Sequence, residues 1–459
     1  MWIIWILCAL AIISTVALAV IDRRDSTIGA WFALALINPF ITVVKGVTAL
    51  RAFSLALFAI VGVRDRNRSL ALSAPAIIMF GLAIWSAITA LWSPDPAAAL
   101  TRALEWIIAS AMLGLPWVLQ NPLDRVGGIA KILTPVTLLA AITTIMFRIL
   151  PSIERAFFES SLAQIMFSPK LVEDVRSGRV EANVLLGDGN KAGGILSSNA
   201  NRTSLILGLA TLAYLGIFVY LKHRYALITA LISAAAVVAT NSKTGIVMLA
   251  IAPILAFILW RSTQGLTRKN LAAVAGVLVP LAIIAGVGLT LFGSRFIAAS
   301  AETLEPRKAI WATAFELIGQ NPVFGSGAGS WELFWAPVSE KTGFSAAYPP
   351  HNFLLRSMID LGAIGTVGII AVIVLFMWTA FKQLRSSTSH AGRIAAALVI
   401  ASWLWVVVHG LGDNTEYFGL LNNLPFLVLL SILARADNTV RPVLDLSVRA
   451  FPPQLSRVR

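Results

Sequence analysis

Charge and cysteine are both scarce in this sequence. Asp, Glu, Lys and Arg make up 13% of its 459 residues, roughly half the charged fraction of a soluble globular domain. The single cysteine, Cys8, lies in an apolar run, so an internal disulfide is excluded and a thiolate metal cage is not expected. The sequence contains no phosphate-loop pattern, no His-Glu-x-x-His pattern and no nucleophile elbow. These absences point away from nucleotide binding, a metal site and a serine nucleophile.

Apolar residues, in contrast, fill 58% of the chain and occur in long runs closed by Lys and Arg. About 20 helical residues cross the roughly 30 Å of hydrocarbon in a bilayer. The predicted fold class is therefore all-α, a polytopic membrane protein with about 12–13 transmembrane helices and two long periplasmic loops, the second containing short helices. The candidate spans are 2–21, 28–44, 47–63, 70–92, 101–119, 128–150, 203–221, 225–241, 244–260, 271–292, 353–381, 394–411 and 417–434.

The net charge of +14 comes from basic residues in the short loops between these runs. A positive net charge is also typical of proteins that bind nucleic acid. Here, however, the basic residues lie in short loops between apolar runs, where they set the membrane topology and contact lipids. No nucleic-acid partner is therefore expected. The loops on one side hold most of the Lys and Arg, which predicts that this side is cytoplasmic. The long loops 151–202 and 293–352 then face outward, into the periplasm of a bacterium. Arg23 and Arg24 follow the first apolar run, which is predicted to be a retained helix and not a cleaved signal.

The pattern also predicts how the chain is divided. Its parts are N-terminal transmembrane helices (1–150), a first periplasmic loop (151–202), central transmembrane helices (203–292), a second periplasmic loop with the candidate site (293–352), C-terminal transmembrane helices (353–434) and a cytoplasmic tail (435–459). The first loop begins with a predicted amphipathic helix. The second contains a predicted helix from Arg307 to Gly319, which Asn321-Pro322 ends and a turn at Gly325, Gly327 and Gly329 follows.

His351 follows Pro349-Pro350 and is predicted at the cap or first turn of the next helix. The start of a helix can bind an anion, because its N–H groups are free and the positive end of the helix dipole lies there. Nearby cations favour the neutral form of the imidazole, which can accept a proton. The alternative is an interfacial histidine that only caps a helix. Asn352, Arg356 and Asp360 share one helix face, where Arg356 and Asp360 can pair. That pair is structural in the simpler interpretation, although an ionisable residue at membrane depth usually lines a cavity.

Three further cations are predicted at helix ends on the outer side, namely Lys243 in Asn241-Ser-Lys-Thr-Gly245, Arg202 and Arg307. Each alone has an ordinary interpretation as a snorkelling residue. Together with His351 they predict one cationic pocket at the outer headgroup level, suited to a phosphate or diphosphate.

Several short motifs resemble the signature region of the O-antigen ligase and O-antigen polymerase superfamily. They are Gly194 to Asn201, Asn241-Ser-Lys-Thr-Gly, Arg307-x-x-x-Trp311, Asn321-Pro322-x-x-Gly325-x-Gly327, His351-Asn352-x-x-Leu355 and Leu361-Gly362-x-x-Gly365. The resemblance covers about residues 190–370, while the N-terminal half agrees only in hydropathy. Lys243 stands where many members have Arg, and Asp360 where many have Glu. Both keep their charge, but a lysine lacks the guanidinium fork.

The resemblance implies a metal-independent, inverting glycosyltransferase without a cofactor, at the periplasmic face of a bacterial inner membrane. Its donor is a glycan on undecaprenyl diphosphate, and its acceptor is lipid A–core in ligases or another lipid-linked glycan in polymerases. Lys243 and Arg307, supported by Arg202 and Asn352, are then expected to bind the diphosphate, whose charge grows in the transition state.

His351 is expected to take the proton of the acceptor hydroxyl, with Asp360 in reserve. Trp311, Trp331 and Trp335 either stack on sugars or anchor the loop at the membrane interface, and anchoring is favoured. Within the enzyme class, the alternative is a polymerase of O-antigen or exopolysaccharide repeats. Outside it, the alternative is a flippase or transporter of lipid-linked glycans. The asymmetric long loops argue against a transporter, because transporters show paired broken helices in related halves.

Overall fold

A computed structural model describes most of the chain. The described residues are 2–22, 25–38, 42–44, 47–48, 74–119, 122–167, 169–177, 191–197, 199–265, 304–343, 348–412 and 421–435, with single residues and pairs between 50 and 57 and at 267, 272 and 276. Within this part the secondary structure is helical apart from one two-stranded hairpin and an isolated bridge. The predicted all-α fold class is confirmed.

The elements with defined bounds in the described chain are sixteen α-helices, one 3₁₀ turn and two short strands. In order they are α1 (Trp2–Ile21), α2 (Ser26–Ile37), β1 (Thr42–Val44), β2 (Val47–Thr48), α3 (Ala74–Thr89), α4 (Pro96–Val118), α5 (Pro122–Ile149), α6 (Pro151–Glu159), α7 (Ser161–Met166), α8 (Pro169–Arg176), α9 (Ala200–Leu221), α10 (Arg224–Ala239), α11 (Lys243–Ser262), α12 (Leu304–Gln320), α13 (Ser330–Thr342), α14 (Phe353–Ser386), α15 (His390–Gly412), a 3₁₀ turn (Leu421–Asn423) and α16 (Leu424–Ala434). Strands β1 and β2 run antiparallel, with Val44 opposite Val47.

Seven of the described helices are long and apolar enough to cross a membrane, namely α1, α4, α5, α9, α11, α14 and α15. Four shorter apolar segments, α2, α3, α10 and the 3₁₀ turn with α16, complete the set. These segments coincide with eleven of the thirteen predicted spans. The spans 47–63 and 271–292 and the tail after 435 lie largely outside the described residues, so the total of 12–13 spans stays a prediction.

The predicted span 28–44 is wrong at its C-terminal end. Helix α2 stops at Ile37, and Asn38 takes a left-handed conformation (φ 41°) in which its N–H donates to the Leu34 carbonyl. The next residue is Pro39, which disfavours helical backbone at the residue before it. The apolar run therefore continues as strand β1 and not as helix.

Helix α9 is packed closely against α15 and α16 through its glycines. A Cβ atom on Gly208 would overlap the Trp405 indole of α15. A Cβ atom on Gly216 would lie 3.2 Å from the Leu430 side chain of α16. Small residues of this kind let transmembrane helices approach one another in the absence of a hydrophobic driving force.

Four helix ends meet at one end of the bundle. Gly245, in the first turn of α11, lies against Ser204 of α9, since a Cβ there would be 2.5 Å from the serine. Asn352 Nδ2, just before α14, donates to the Leu411 carbonyl near the end of α15 (3.3 Å). The starts of α9, α11 and α14 and the end of α15 thus define the site end of the bundle, and the other end is called the opposite end.

A second, smaller hydrophobic core lies beside the start of α14. Ile310, Ala314 and Leu317, on one face of α12, are buried in it. The indoles of Trp331 and Trp335 on α13 stack in the same core with 5.5 Å between ring centroids. The two short helices α12 and α13 are therefore packed on each other and on α14.

The first half of the first long loop is helical as predicted, but it forms three short helices, α6 to α8. Phe157, Phe158 and Phe167 pack ring against ring with centroids 5.3 to 6.0 Å apart. Phe147 at the end of α5 lies 5.6 Å from Phe157. This aromatic cluster fixes the loop to the end of α5.

Candidate functional site

Helix α14 is interrupted at Gly362, where φ is 64° and ψ is −168°. The break frees backbone groups on both sides, and the turn between α12 and α13 binds them, together with one indole of α3. The hydrogen bonds, donor first, are Ser326 N to Ile359 O (2.7 Å), Gly327 N to Asp360 O (3.2 Å), Ala363 N to Pro322 O (2.9 Å) and Trp85 Nε1 to Leu361 O (2.8 Å). A broken helix at membrane depth is tolerated only where its backbone is bound in this way.

The predicted turn at Gly325, Gly327 and Gly329 is confirmed, with positive φ at all three residues. The loop between α3 and α4 closes over it from the other side. Ser93 Oγ donates to the Ala328 carbonyl (2.7 Å), and a Cβ on Gly327 would lie 2.5 Å from the Ser93 side chain. The turn therefore lies between two transmembrane segments and is not a free loop.

Arg356 and Asp360 form the predicted ion pair, with Arg356 Nε 2.7 Å from Asp360 Oδ2. Asp360 is 0% exposed and Arg356 is 6% exposed, so the pair is buried. Arg356 also contacts Glu332 of α13, through Nη1 to Oε1 at 2.8 Å and Nη2 to Oε2 at 3.4 Å. This guanidinium holds one carboxylate of its own helix and one of α13, and so ties α13 to α14.

A second charged cluster is built on Glu105 of α4. Its two oxygens accept from Arg51 Nη2 (2.6 Å) and Arg102 Nη1 (2.8 Å). Arg102 is also close enough to interact electrostatically with Asp360. The two clusters are therefore neighbours, and cations outnumber carboxylates in the second one.

His351 is not at the helix cap or in the first turn, contrary to the prediction. Its φ of 52° is left-handed, and the cap is Asn352, whose Oδ1 accepts from Leu354 N (2.9 Å) and Leu355 N (3.2 Å). An asparagine carbonyl is a strong N-cap acceptor and satisfies the first free N–H groups. The predicted anion site at this helix start is thus partly filled by Asn352. The half-buried His351 imidazole lies edge-on to the Tyr348 ring at 5.8 Å.

Arg307 lies on α12, one turn before Trp311. Trp311 Nε1 donates to the carbonyl of Pro350, the residue before His351 (3.2 Å). Residues four apart share a helix face, so Arg307 lies on the side of α12 that is turned toward the His351 segment. Arg307 is half-buried and forms no hydrogen bond or ion pair with another described residue.

Lys243 and Arg202 lie at the same end of the bundle, on α11 and α9. Lys243 is the exposed first residue of α11, after the cap Ser242. Arg202 is in the first turn of α9, and its Nη2 donates to Asn422 Oδ1 (3.4 Å). The structure therefore brings the Arg307 helix and the His351 segment together, and it holds Lys243 and Arg202 at the site end on separate helices.

Two of the three tryptophans have a different role from either predicted one. Trp331 and Trp335 are 1% and 0% exposed, so no ring face is open to a sugar or to the membrane interface. Trp331 Nε1 donates to the Tyr348 carbonyl (2.8 Å). They form the small core that supports the segment leading to His351, as Trp311 does through its own N–H.

Two polar residues of this region were not predicted, Glu332 and Asn422. Glu332 lies in α13, one of the short helices predicted in the second long loop but not given bounds. Asn422 is 1% exposed and bridges Arg202 to the Leu36 carbonyl (3.1 Å); a polar residue in an apolar run is the signal that could have found it. In the described part of the chain, no three His, Cys, Asp or Glu side chains are grouped so that they could hold a metal ion.

A comparison with models of protein families identifies the same part of the chain as these contacts do. Residues 228–370 match the family model described as O-Antigen ligase. None of the curated protein sequences matches the chain significantly. The matched residues include Lys243, Arg307, the glycine turn, His351 and the break in α14. Residues 228–370 of this multi-pass membrane protein are therefore similar to the O-antigen ligase family, as the motifs predict.

Proposed function

We propose that the chain is a glycosyltransferase that moves a glycan from undecaprenyl diphosphate to lipid A–core or a similar acceptor, at the periplasmic face of a bacterial inner membrane. The observation that carries the proposal is the hydrogen bond from Trp311 Nε1 to the Pro350 carbonyl (3.2 Å). It joins the helix of Arg307 to the segment of His351. A cation and an imidazole at one end of a membrane bundle suit transfer from a lipid diphosphate.

In the proposed reaction, the acceptor hydroxyl oxygen bonds to the anomeric carbon while the bond from that carbon to the diphosphate oxygen breaks. His351 takes the hydroxyl proton, and the diphosphate leaves with the bonding electron pair. A single displacement inverts the anomeric configuration. Arg307 and Lys243, supported by Arg202 and Asn352, bind the leaving diphosphate in place of a metal ion, because fixed cations stabilise charge that develops in the transition state.

We assign Asp360 to the support of the site and His351 to proton transfer. Asp360 is fully buried and bound to the Arg356 guanidinium, so its carboxylate is not open to an acceptor hydroxyl. His351 is partly exposed and follows directly on the segment that Trp311 holds.

The test uses the full chain in lipid nanodiscs with undecaprenyl-diphosphate glycan and lipid A–core. The expected product is glycosylated lipid A–core, and Arg307→Ala and His351→Ala should each lower the rate by about 100-fold or more. Lys308→Ala is the matched control, because it removes the same charge from the exposed neighbour of Arg307.

Other products would contradict the acceptor or the reaction class. Longer lipid-linked chains would identify a polymerase, and glycan translocation without a new glycosidic bond would identify a flippase. Full activity of both the Arg307 and the His351 variants would refute the site.

A further inference from the structure

The opposite end of α11, α14 and α15 carries basic side chains next to aromatic rings. The cations are Arg261, Lys382, Arg385 and Arg393, and the His390 ring lies in the same region. The sequence contains no Asp or Glu from 243 to 301 or from 361 to 412, so this end of the three helices supplies no carboxylate. Within the described part of the chain, none of the four cations forms an ion pair.

The start of α15 adjoins the ends of both α11 and α14. The guanidinium of Arg261 lies 5.2 Å from the Trp260 ring centroid, and that ring lies 6.2 Å from the His390 ring at the start of α15. Arg393, one turn further, donates from Nε to the carbonyl of Ser387, directly after α14 (2.8 Å). Trp260 Nε1 and Arg261 Nε are shielded from solvent and have no acceptor among the described residues. The start of α15 therefore lies beside cationic ends of both α11 and α14, and none of the three helices supplies an anion there.

The last turns of α14 repeat the pairing of a cation with an aromatic ring. Lys382 Nζ lies 5.3 Å from the Trp378 centroid, and the Arg385 guanidinium lies 4.6 Å from the Phe381 centroid. The two rings stack on each other at 6.2 Å. Trp378 is 49% exposed, so this face is open at the surface of the bundle. Indole rings beside Lys and Arg are typical of the level of lipid headgroups.

The charges on the neighbouring elements do not neutralise this surface. Lys222 ends α9 at the same end, and Arg224 begins α10. The carboxylate of Asp25 is bound to Arg125 of α5 (2.7 Å). Among the described side chains at the ends of α11, α14 and α15 the charge is therefore positive, and an anion at this surface would meet guanidinium groups on α11 and α14.

We propose that the ends of α11, α14 and α15 form an anionic phospholipid site, which binds the phosphate of a lipid headgroup. Guanidinium groups bind phosphate oxygens in a two-point geometry, and basic pockets between transmembrane helices suit acidic lipid headgroups. The open face beside Trp378 allows the acyl chains to run along α14, whose neighbouring Val374 is 55% exposed. The proposal depends on the membrane-embedded bundle and not on glycan transfer.

The test titrates the full chain in detergent with phosphatidylglycerol and, separately, with phosphatidylcholine, and counts bound lipid by native mass spectrometry. The expected result is preferential binding of phosphatidylglycerol, weakened on the order of 10-fold or more in Arg261→Gln/Arg385→Gln. The matched control is Lys222→Gln/Arg224→Gln, which removes two charges at the same end but outside the site. Arg261→Lys/Arg385→Lys should retain most of the binding if both variants elute as the wild type does.

The proposal fails if both glutamine pairs weaken binding equally, because general attraction to the surface would then explain it. It also fails if phosphatidylcholine binds as well as phosphatidylglycerol. Displacement of the lipid by millimolar inorganic phosphate would identify a site for free anions and would overturn the assignment to a lipid.

Discussion

Gly325 and Gly362 lie backbone against backbone. A Cβ on Gly325 would overlap the Gly362 amide nitrogen, and a Cβ on Gly362 would overlap the Val323 carbonyl oxygen. Both residues also have positive φ, 73° and 64°. Glycine alone meets both conditions. The glycine turn and the break in α14, which are separate motifs in the sequence, are therefore two halves of one structure.

Replacement of Gly362 by alanine should force the glycine turn away from the break in α14. The substitution adds the strain of a left-handed φ to the overlap with Val323, and we expect a loss of at least about 2 kcal/mol in the free energy of unfolding. Gly319→Ala is the control, since no atom lies within 4 Å of its Cβ position, and it should be neutral or gain about 0.5 kcal/mol. Thermal unfolding of both purified variants in detergent checks the difference. Equal stability of the two variants would show that the close contact between Gly325 and Gly362 does not stabilise the fold.

The sequence predicts the bundle well, because long apolar runs and their basic flanks report directly on membrane helices. It also predicts the pairing of Arg356 with Asp360, which depends only on helical spacing. It does not predict that Asn352 and not His351 caps α14. That outcome depends on the left-handed backbone of His351, to which neither spacing nor composition is sensitive.

Helix α13 shows the second limit of prediction from sequence. Pro337 interrupts its pattern, and its buried faces are set by contact with α12 and α14. The role of Trp331 follows from the same tertiary contacts, because hydropathy does not distinguish a ring in a small core from a ring at a membrane interface. For that reason the sequence does not predict that Glu332, which lies on this helix, binds Arg356.

The two carboxylates bound to Arg356 should differ sharply in their importance for stability. Arg356→Met leaves the fully buried Asp360 without its cation, and breaking a buried pair in this way costs about 3–5 kcal/mol. Glu332→Gln should cost less than about 1 kcal/mol, because the Glu332 side chain is 57% exposed. The combination Arg356→Met/Asp360→Asn should recover part of the loss. Chemical unfolding in detergent measures all three, and a Glu332 variant as unstable as Arg356→Met would refute this ranking.

Glu154 should make the first long loop sensitive to pH. Its side chain is 5% exposed, and burial raises its pKa from the ordinary 4.5 to about 7, against the opposing effect of a hydrogen bond from the Gly193 backbone. The folded loop thus holds this proton more tightly than the unfolded loop does. Stability is therefore highest below pH 4.5, falls by up to roughly 3 kcal/mol as pH rises to about 7, and is level above.

Glu154→Gln isolates this effect, because glutamine has a similar shape and does not titrate. Hydrogen exchange of the amides of Phe157 and Phe158, followed from pH 4.5 to 8 and corrected for the intrinsic rate, measures the opening of the loop. The wild type should lose protection across this range while the variant stays constant. Parallel pH profiles would show that Glu154 does not titrate there.

Asn352 offers a test that separates helix capping from diphosphate binding. Asn352→Asp keeps an acceptor for the N–H groups of Leu354 and Leu355, so helix α14 should be as stable as before or slightly more stable. If the diphosphate binds next to this residue, the added negative charge should lower kcat/KM for the donor by about 10-fold or more, and less at high salt. Asn352→Ser is the control, because it caps without a charge and also lacks the hydrogen bond to Leu411. Equal donor kinetics for the aspartate and serine variants would place the diphosphate elsewhere and leave Asn352 only its structural role.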